Sequence, residues 1–308
     1  MPLWPALAAG QVQPPIRVES ALVSVPVIVG DSQGRFVPGL TAEDFRLYQD
    51  GIEQKIDLFA TSDQPTNIAL LLDTSRSTVS VLGKIKKAAG QFLSQMRPQD
   101  RATVVTFDSE VRLLSPLTSD RERLEEAVKS AQVAYYEGTK LRDAIVEVIT
   151  RRFKQLDERK AIILLTDGDD IGSVTPVSDL LDLVADSGTV VYSVYYRVDP
   201  RQTMKRLFGV SSRLPSRRDS PSAARQTEGE QFLKGLSELS TGRVFASEVG
   251  KLKKAFEAVS EELRHQYLLG FYPDRSELDG LVHELSVSVE KPGAIVRSRR
   301  FYRAMPRR

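Results

Sequence analysis

The sequence contains no cysteine and only two histidines, His265 and His283, which lie far apart in the chain. The lack of thiols excludes cysteine nucleophiles, thiolate zinc sites, iron–sulfur clusters and disulfide bonds. A histidine-rich metal site or a Ser-His-Asp triad would have to be built on one of these two imidazoles. We therefore expect no chemistry that depends on sulfur or on clustered histidines.

The chain also lacks a strong charge imbalance and a long apolar run. Its 308 residues carry 43 Lys plus Arg against 41 Asp plus Glu, so the net charge of +2 gives no general reason to bind nucleic acid or an anionic membrane. No apolar run approaches the ~20 residues that span a bilayer, and we expect no transmembrane segment. The length and the 41% hydrophobic content predict about two domains.

The first 15 residues form a tail outside the predicted domains. Residues 1–10 are apolar and rich in small residues, and Ala6-Leu7-Ala8 has the spacing of a signal-peptidase site, but the basic region that normally precedes it is missing. We interpret residues 1–15 as a disordered tail or the remnant of an export signal. A periplasmic or secreted protein is therefore expected, without excluding the cytoplasm.

Two hydrophobic patterns divide the rest of the chain. Residues 16–65 and 267–308 show the alternation typical of amphipathic strands, as in the valines at every second position from Val23 to Val29. Residues 66–266 alternate strands with helices, which is typical of a mostly parallel, doubly wound α/β sheet. Neither terminal region can bury a core alone. We therefore predict that the two pair into a small β-sandwich-like module, into which the α/β domain is inserted.

Apolar spacing predicts the elements of the α/β domain. The predicted strands cover residues 67–73, 102–107, 160–166, 189–196 and 243–246. The predicted helices cover residues 82–96, 121–132, 141–155, 177–186, 230–240 and 251–265. Residues 197–228 are rich in Arg, Ser and Pro and show little periodicity, so we interpret them as a mobile insert or a partner-binding loop.

Hydroxyls and carboxylates follow two of the predicted strands and one loop. A D-x-S-x-S motif begins at the end of the first strand, a T-D-G motif ends the third, and a Gly-Thr pair precedes the helix at 141–155. Because ligands of open α/β sheets lie at the carboxyl edge of the strands, we expect these side chains to meet there. The five that carry the chemistry are Asp73, Ser75, Ser77, Thr139 and Asp167.

Three hydroxyls and two carboxylates form an all-oxygen ligand set that suits a hard cation. We predict Mg²⁺, with Mn²⁺ or Ca²⁺ as alternatives. Two carboxylates only just neutralise a divalent ion, so an anionic oxygen from another molecule would be favourable at an open coordination position.

The order D-x-S-x-S, then Thr, then T-D-G resembles the metal-ion-dependent adhesion site (MIDAS) of the von Willebrand factor A family. The five residues named above fall on the five coordinating positions of that site. The resemblance covers about residues 66–266 and implies a protein-binding module whose partner completes the coordination with an Asp or Glu, rather than an enzyme. The flanking residues 29–45 and 267–272 resemble a bacterial subgroup of related proteins, many of which are exported.

We also predict which residues contact the partner. They adjoin the metal positions or lie in the insert: Arg76, Gly138, Gly168, Arg197 and Arg201. The arginines of the insert would favour a partner whose metal-binding carboxylate lies in acidic surroundings.

Two other function classes remain open. Asp73 and Asp167 around Mg²⁺ could serve a hydrolase or a phosphoryl-transfer enzyme, but no G-x-x-x-x-G-K-[ST] loop is present, and we interpret Gly168-Asp-Asp170 as a solvated turn. Nucleic-acid binding is the second alternative, through the arginines between Arg297 and Arg308, although no aromatic residues interleave them in a known motif.

Overall fold

The computed structural model describes residues 22–61, 63–156, 158–198, 221–273 and 279–303, and for residues 221–227 it describes the backbone only. The predicted tail at 1–15, Arg201 and most of the predicted insert lie outside the described residues. In the described part of the chain, no helix is long and apolar enough to cross a membrane.

The strands of the described residues form three sheets. In chain order they are β1 (Val23–Gly30), β2 (Phe45–Gln49), β3 (Ile52–Gln54), β4 (Leu58–Ala60), β5 (Thr66–Asp73), β6 (Arg101–Phe107), β7 (Val111–Thr118), β8 (Arg159–Thr166), β9 (Val190–Tyr196), β10 (Val244–Ser247), β11 (Gln266–Phe271), β12 (Val282–Val289), β13 (Ile295–Ser298) and β14 (Phe301–Arg303).

The central sheet has the order β10-β9-β8-β5-β6-β7. Its strands are parallel except for the edge strand β7, which pairs antiparallel with β6. Strands β5, β8 and β9 are almost entirely buried because helices cover both faces of the sheet, which explains their unbroken apolar sequences. The predicted doubly wound, mostly parallel α/β fold is confirmed.

The helices are α1 (Leu82–Ser94), α2 (Arg121–Ser130), α3 (Leu141–Glu147), α4 (Val177–Ser187), α5 (Pro221–Leu239) and α6 (Leu252–Arg264). Apolar residues of α1, α2 and α6, such as Ile85, Leu124 and Phe256, form one core with the sheet. Those of α3, α4 and α5, such as Ile145 and Leu233, form a second core on the opposite face. Among the described residues, three helices therefore pack on each face of the sheet.

Three elements differ from the sequence-based prediction. The edge strand β7 was not expected. The helix expected over 141–155 ends as an α-helix at Glu147 and continues as a π-helical turn over Val148–Arg152. The largest difference concerns the predicted insert, because α5 begins at Pro221, inside the segment interpreted as a loop. Proline at a helix start is favourable, since its missing N–H has no partner in the first turn anyway.

Strands from both ends of the chain form a second layered unit, the β-module. One sheet has the order β13-β1-β11-β4 and the other β14-β12-β2-β3, so each combines N-terminal and C-terminal strands. In the first sheet, Val25 pairs with Leu269. In the second, Leu47 pairs with Val287. The inward-facing residues of both sheets share one apolar core. The predicted β-sandwich-like module, with the α/β domain inserted into it, is confirmed.

Charged side chains join the β-module to the α/β domain. Glu262 of α6 is buried and accepts from Arg243 at 2.8 Å and also from Arg297 of β13. The buried Arg299 donates to the carbonyl oxygen of Ala185 in α4. Arg303 pairs with Asp182 of α4 at 3.0 Å. Three arginines of the basic C-terminal segment therefore contribute to packing inside the fold.

Candidate metal site

Asp73 is the last residue of β5 and is completely buried at the carboxyl edge of the central sheet. Its Oδ1 accepts hydrogen bonds from the Ser75 backbone N–H at 3.0 Å and from the Ser75 hydroxyl at 2.6 Å. Its Oδ2 accepts from the Thr166 hydroxyl at 2.8 Å. This last contact follows from the parallel register, in which Leu72 of β5 pairs with Leu165 of β8. Neutral donors thus hold both carboxylate oxygens of Asp73.

The second carboxylate, Asp167, follows β8 and is also buried. Ser77 lies in a 3₁₀ turn over Arg76–Ser80, where its hydroxyl is 3.0 Å from the Ser75 hydroxyl and hydrogen-bonds to Asp167. The two motifs are therefore connected through adjacent hydroxyls. Four of the five residues predicted to bind a metal lie in one network of contacts.

Burial raises the pKa of both carboxyls above its ordinary value of 3.8. For the Asp73 pKa the next cause is the charge of Asp167, and for the Asp167 pKa it is the charge of Asp169. No ion pair within the described ranges involves Asp73 or Asp167. Two acidic groups therefore lie close together in a buried place where no described side chain supplies a positive charge, which is costly unless a proton or a cation is bound.

Thr139, the fifth predicted ligand, is buried, and its backbone hydrogen-bonds to the loop that follows Asp167. Its N–H donates to the Ile171 carbonyl at 2.8 Å, and the Ile171 N–H donates back at 2.9 Å. This bridge fastens the Thr139 loop to the loop that follows Asp167. Gly138 has a φ of +144°, and a Cβ there would lie 2.8 Å from the Ser109 Cα, so only glycine permits this approach.

Gly168, which we predicted to contact a partner, packs closely against another part of this chain. It is buried, with a φ of +87°, and a Cβ on it would lie 3.1 Å from the Gly229 carbonyl carbon. Helix α5 therefore packs directly on the turn that presents Asp167. Gly229 lies between the predicted insert and the helix predicted over 230–240, and nothing in the local sequence indicated this contact.

The arginines expected to contact a partner are already paired where the structure describes them. Arg76 lies 3.7 Å from Glu137, and Arg197 lies 2.9 Å from Glu230. Asp170, expected in a solvated turn, is largely buried and accepts from the Arg142 backbone N–H at 2.9 Å. The charges of these described side chains are therefore largely balanced within the chain, whereas the sequence suggested unpaired arginines beside the site.

A further buried carboxylate that sequence analysis missed is Asp108, just after β6. Arg112 binds both of its oxygens, at 2.7 and 2.9 Å, and the Thr74 hydroxyl donates to it at 2.7 Å. The side chain of Asp108 is completely buried. Thr74 lies between Asp73 and Ser75. The Arg112–Asp108 ion pair therefore holds the D-x-S-x-S turn in place through the Thr74 hydroxyl.

The donor chemistry fits a hard divalent cation. Within the ranges that the structure describes, no group of three or more His, Cys, Asp or Glu side chains is suited to holding a metal ion. A cation at the Asp73 and Asp167 carboxylates would thus need hydroxyl ligands, and the hydroxyls of Ser75 and Ser77 lie beside these carboxylates. Oxygen-only ligands suit Mg²⁺, Mn²⁺ or Ca²⁺.

The sequence over residues 67–226 matches the von Willebrand factor type A domain, and the chain belongs to this family. Domains of this family are generally protein-interaction modules rather than enzymes. No curated protein sequence matches the chain significantly.

Several solved structures are similar to this one. BatB from Bacteroides thetaiotaomicron has a TM-score of 0.49 and 18% identity, over 65% of this chain and 97% of that chain. A von Willebrand factor type A protein from Catenulispora acidiphila has a TM-score of 0.49 and 13% identity, over 94% of this chain and 75% of that chain. Proximal thread matrix protein 1 of the mussel byssus, solved with zinc in its MIDAS motif, has a TM-score of 0.49 and 16% identity, over 68% of this chain and 48% of that chain.

Proposed function

We propose that this protein binds a divalent cation, Mg²⁺ in the first instance, and uses it to bind an Asp or Glu of a partner protein. The proposed ligands are Asp73, Ser75, Ser77, Thr139 and Asp167. The observation that carries the proposal is the burial of two neighbouring carboxylates whose hydrogen bonds, among the described residues, come from neutral groups.

The charge of the proposed ligands explains how a bound ion could also bind a partner protein. Two carboxylates balance the charge of a divalent cation, and the hydroxyls of Ser75, Ser77 and Thr139 add no further charge. When bound, the ion would therefore retain affinity for an anionic oxygen. A carboxylate from a partner protein supplies such an oxygen with a direction fixed by the site.

The test is thermal unfolding of the whole protein with and without Mg²⁺, Mn²⁺ or Ca²⁺. A ligand that binds only the folded state raises the melting temperature, and Asp73→Ala should abolish the rise. Asp100→Ala is the matched control, because Asp100 is a buried aspartate paired with Arg97 at the opposite end of the sheet. It should lower stability but keep the metal response. A full response in Asp73→Ala would show that the ion binds elsewhere.

A metal-dependent enzyme is the rival function, and no feature of the site favours it. A screen for phosphatase and nuclease turnover decides between the two. Metal-dependent turnover that disappears in Asp73→Ala would replace the binding function. Nucleic-acid binding is less well supported, because Arg297, Arg299 and Arg303 make contacts inside the fold.

We further infer that partner binding takes place in the periplasm or outside the cell. The inference rests on the apolar residues 1–10 and the Ala6-Leu7-Ala8 spacing alone. Cell fractionation tests it, and recovery of the protein only in the cytoplasm would reject it.

A further inference from the structure

Four apolar side chains are exposed on the loops that flank the candidate metal site. Tyr135 is 86% exposed, Tyr136 70%, Val174 84% and Ile171 46%. We call this set the apolar rim. Exposed apolar side chains in one place are characteristic of interaction surfaces, whereas scattered single ones are ordinary.

The tyrosine side of the rim is fastened to the D-x-S-x-S turn. The Ala134 N–H donates to the Thr74 carbonyl at 2.8 Å, between the proposed ligands Asp73 and Ser75. The rings of Tyr135 and Tyr136 follow at once and pack edge to face, with centroids 5.2 Å apart. The two rings therefore lie beside the metal site by virtue of the backbone that carries them.

The opposite side of the rim is fastened as firmly. Ile171 forms the backbone bridge with Thr139 described above, and Val174 lies three residues further on. Asp143 accepts from the Thr175 backbone N–H at 3.0 Å and the Thr175 hydroxyl at 2.8 Å. The backbone N–H of Val174 also donates to Asp143, at 3.1 Å. The polar groups of this loop point inward, and its apolar side chains point to solvent.

Two arginines near the rim that the structure describes already have acidic partners within this chain. Arg76 pairs with Glu137, and Arg197, the one arginine of the predicted insert whose side chain the structure describes, pairs with Glu230. An acidic partner surface would have to compete with those glutamates. An apolar surface, by contrast, would cover the exposed rings without competing with those glutamates.

From these contacts we infer the chemistry of the partner: its metal-binding Asp or Glu projects from an apolar or aromatic surface, which packs on the apolar rim. This inference rests on the proposed function, and it specifies the kind of surface that surrounds the partner's carboxylate. Burial of tyrosine and aliphatic side chains contributes binding free energy in proportion to the area covered. Excluding water also strengthens the interaction between the carboxylate and the cation.

The experiment is a selection from a phage-displayed library of cyclic peptides that have a fixed central aspartate and random flanking residues. The whole protein is the target in Mg²⁺ buffer, and bound phage are released with EDTA. We expect aromatic and aliphatic residues to be enriched beside the aspartate. For the selected peptides, the double variant Tyr135→Ser/Tyr136→Ser and the single variant Val174→Ser should each lower the affinity by roughly tenfold or more.

Matched controls come from the β-module, where Tyr272 is 51% exposed and Val282 is 57% exposed. Tyr272→Ser and Val282→Ser should leave peptide affinity unchanged. The rim variants should also keep the full Mg²⁺-induced rise in melting temperature, because they alter no proposed ligand. Unchanged peptide affinity in folded rim variants would overturn the inference.

The composition of the selected peptides also separates the two proposals. EDTA-released peptides with acidic or mixed polar flanks would overturn the apolar partner but leave the metal-dependent function standing. If no peptide is released by EDTA, the proposed function itself fails and this inference fails with it.

Discussion

Asp73 and Asp108 follow adjacent parallel strands, and both are completely buried at the carboxyl edge of the central sheet. They differ in how their charge is balanced. Asp108 is bound on both oxygens by Arg112. Asp73 is hydrogen-bonded to Ser75 and Thr166 and lies close enough to Asp167 for the two charges to repel.

This difference separates a structural carboxylate from one suited to bind an external ion. Breaking a buried ion pair is costly because the remaining charge loses its counter-charge. At Asp108 the chain supplies that counter-charge from four residues away. At Asp73 and Asp167 no described side chain supplies it, and the following experiments test whether a cation from solution does.

The largest effect is expected for Arg112→Met, which leaves Asp108 buried without its cation. The free energy of unfolding should fall by about 3 kcal/mol, at the lower end for buried pairs because Arg112 is 41% exposed. Urea unfolding measures this loss. Lys129→Met, which removes an exposed ion pair with Glu125, is the control and should cost less than about 1 kcal/mol. Equal effects of the two substitutions would erase the contrast between the sites.

Mg²⁺ should stabilise the native protein by about 2.7 kcal/mol at a free concentration one hundred times its dissociation constant. Asp73→Asn should lose this increment, since it removes one of two ligand charges. In EDTA the same variant should be no less stable than the native protein, because asparagine is neutral at a position where burial disfavours the ionised carboxyl. Calorimetric melting with Mg²⁺ and with EDTA measures both quantities. Marked destabilisation of Asp73→Asn in EDTA would mean that Asp73 serves the fold as Asp108 does.

In EDTA, the free energy of unfolding should depend on pH through the buried carboxyl of Asp73. The folded-state pKa of Asp73 lies above its ordinary value of 3.8, so above that pH the folded state holds a proton that the unfolded state has lost. The contribution of Asp73 to stability is therefore present below its ordinary pKa and falls as the pH rises through the folded-state pKa. Urea titrations in EDTA across this range should show the decline, and Asp73→Asn should reduce it. An identical pH profile for the variant would exclude Asp73 as the source.

The smallest effect is expected from Thr166→Val, which removes the hydroxyl that orients Asp73 Oδ2. Loss of a hydrogen bond to a metal-binding carboxylate typically weakens metal binding roughly 10-fold. Thr103→Val is matched, because Thr103 is a buried threonine that donates to the Ser115 carbonyl away from the site. Isothermal titration with Mg²⁺ should show weaker binding for Thr166→Val alone. Similar losses in both variants would point to a general effect on the sheet.

Sequence periodicity predicted the α/β class and the pairing of the two chain ends because it reports burial directly. It missed β7, whose pairing with β6 shifts register twice and whose sequence contains Pro116, as an edge strand tolerates. It also placed the start of α5 too late, because the Arg, Ser and Pro content of the preceding residues suggested a loop. Gly229 carried no local signal, since its importance depends on a contact with Gly168, far away in the sequence. Arg112 is only four residues from Asp108, but the prediction missed β7 and therefore did not bring the two side chains together.

The sequence by itself determined the family of this protein, the kind of atoms at its candidate metal site and the order in which they occur. It did so because parallel strands bring their carboxyl ends to one edge, so polar residues at two such ends must lie close together. Only the tertiary structure decided which charges are neutralised. It paired Arg112 with Asp108, Arg76 with Glu137 and Arg197 with Glu230. The balance of charge depends on side chains brought within about 4 Å by packing, and linear spacing does not specify such distances.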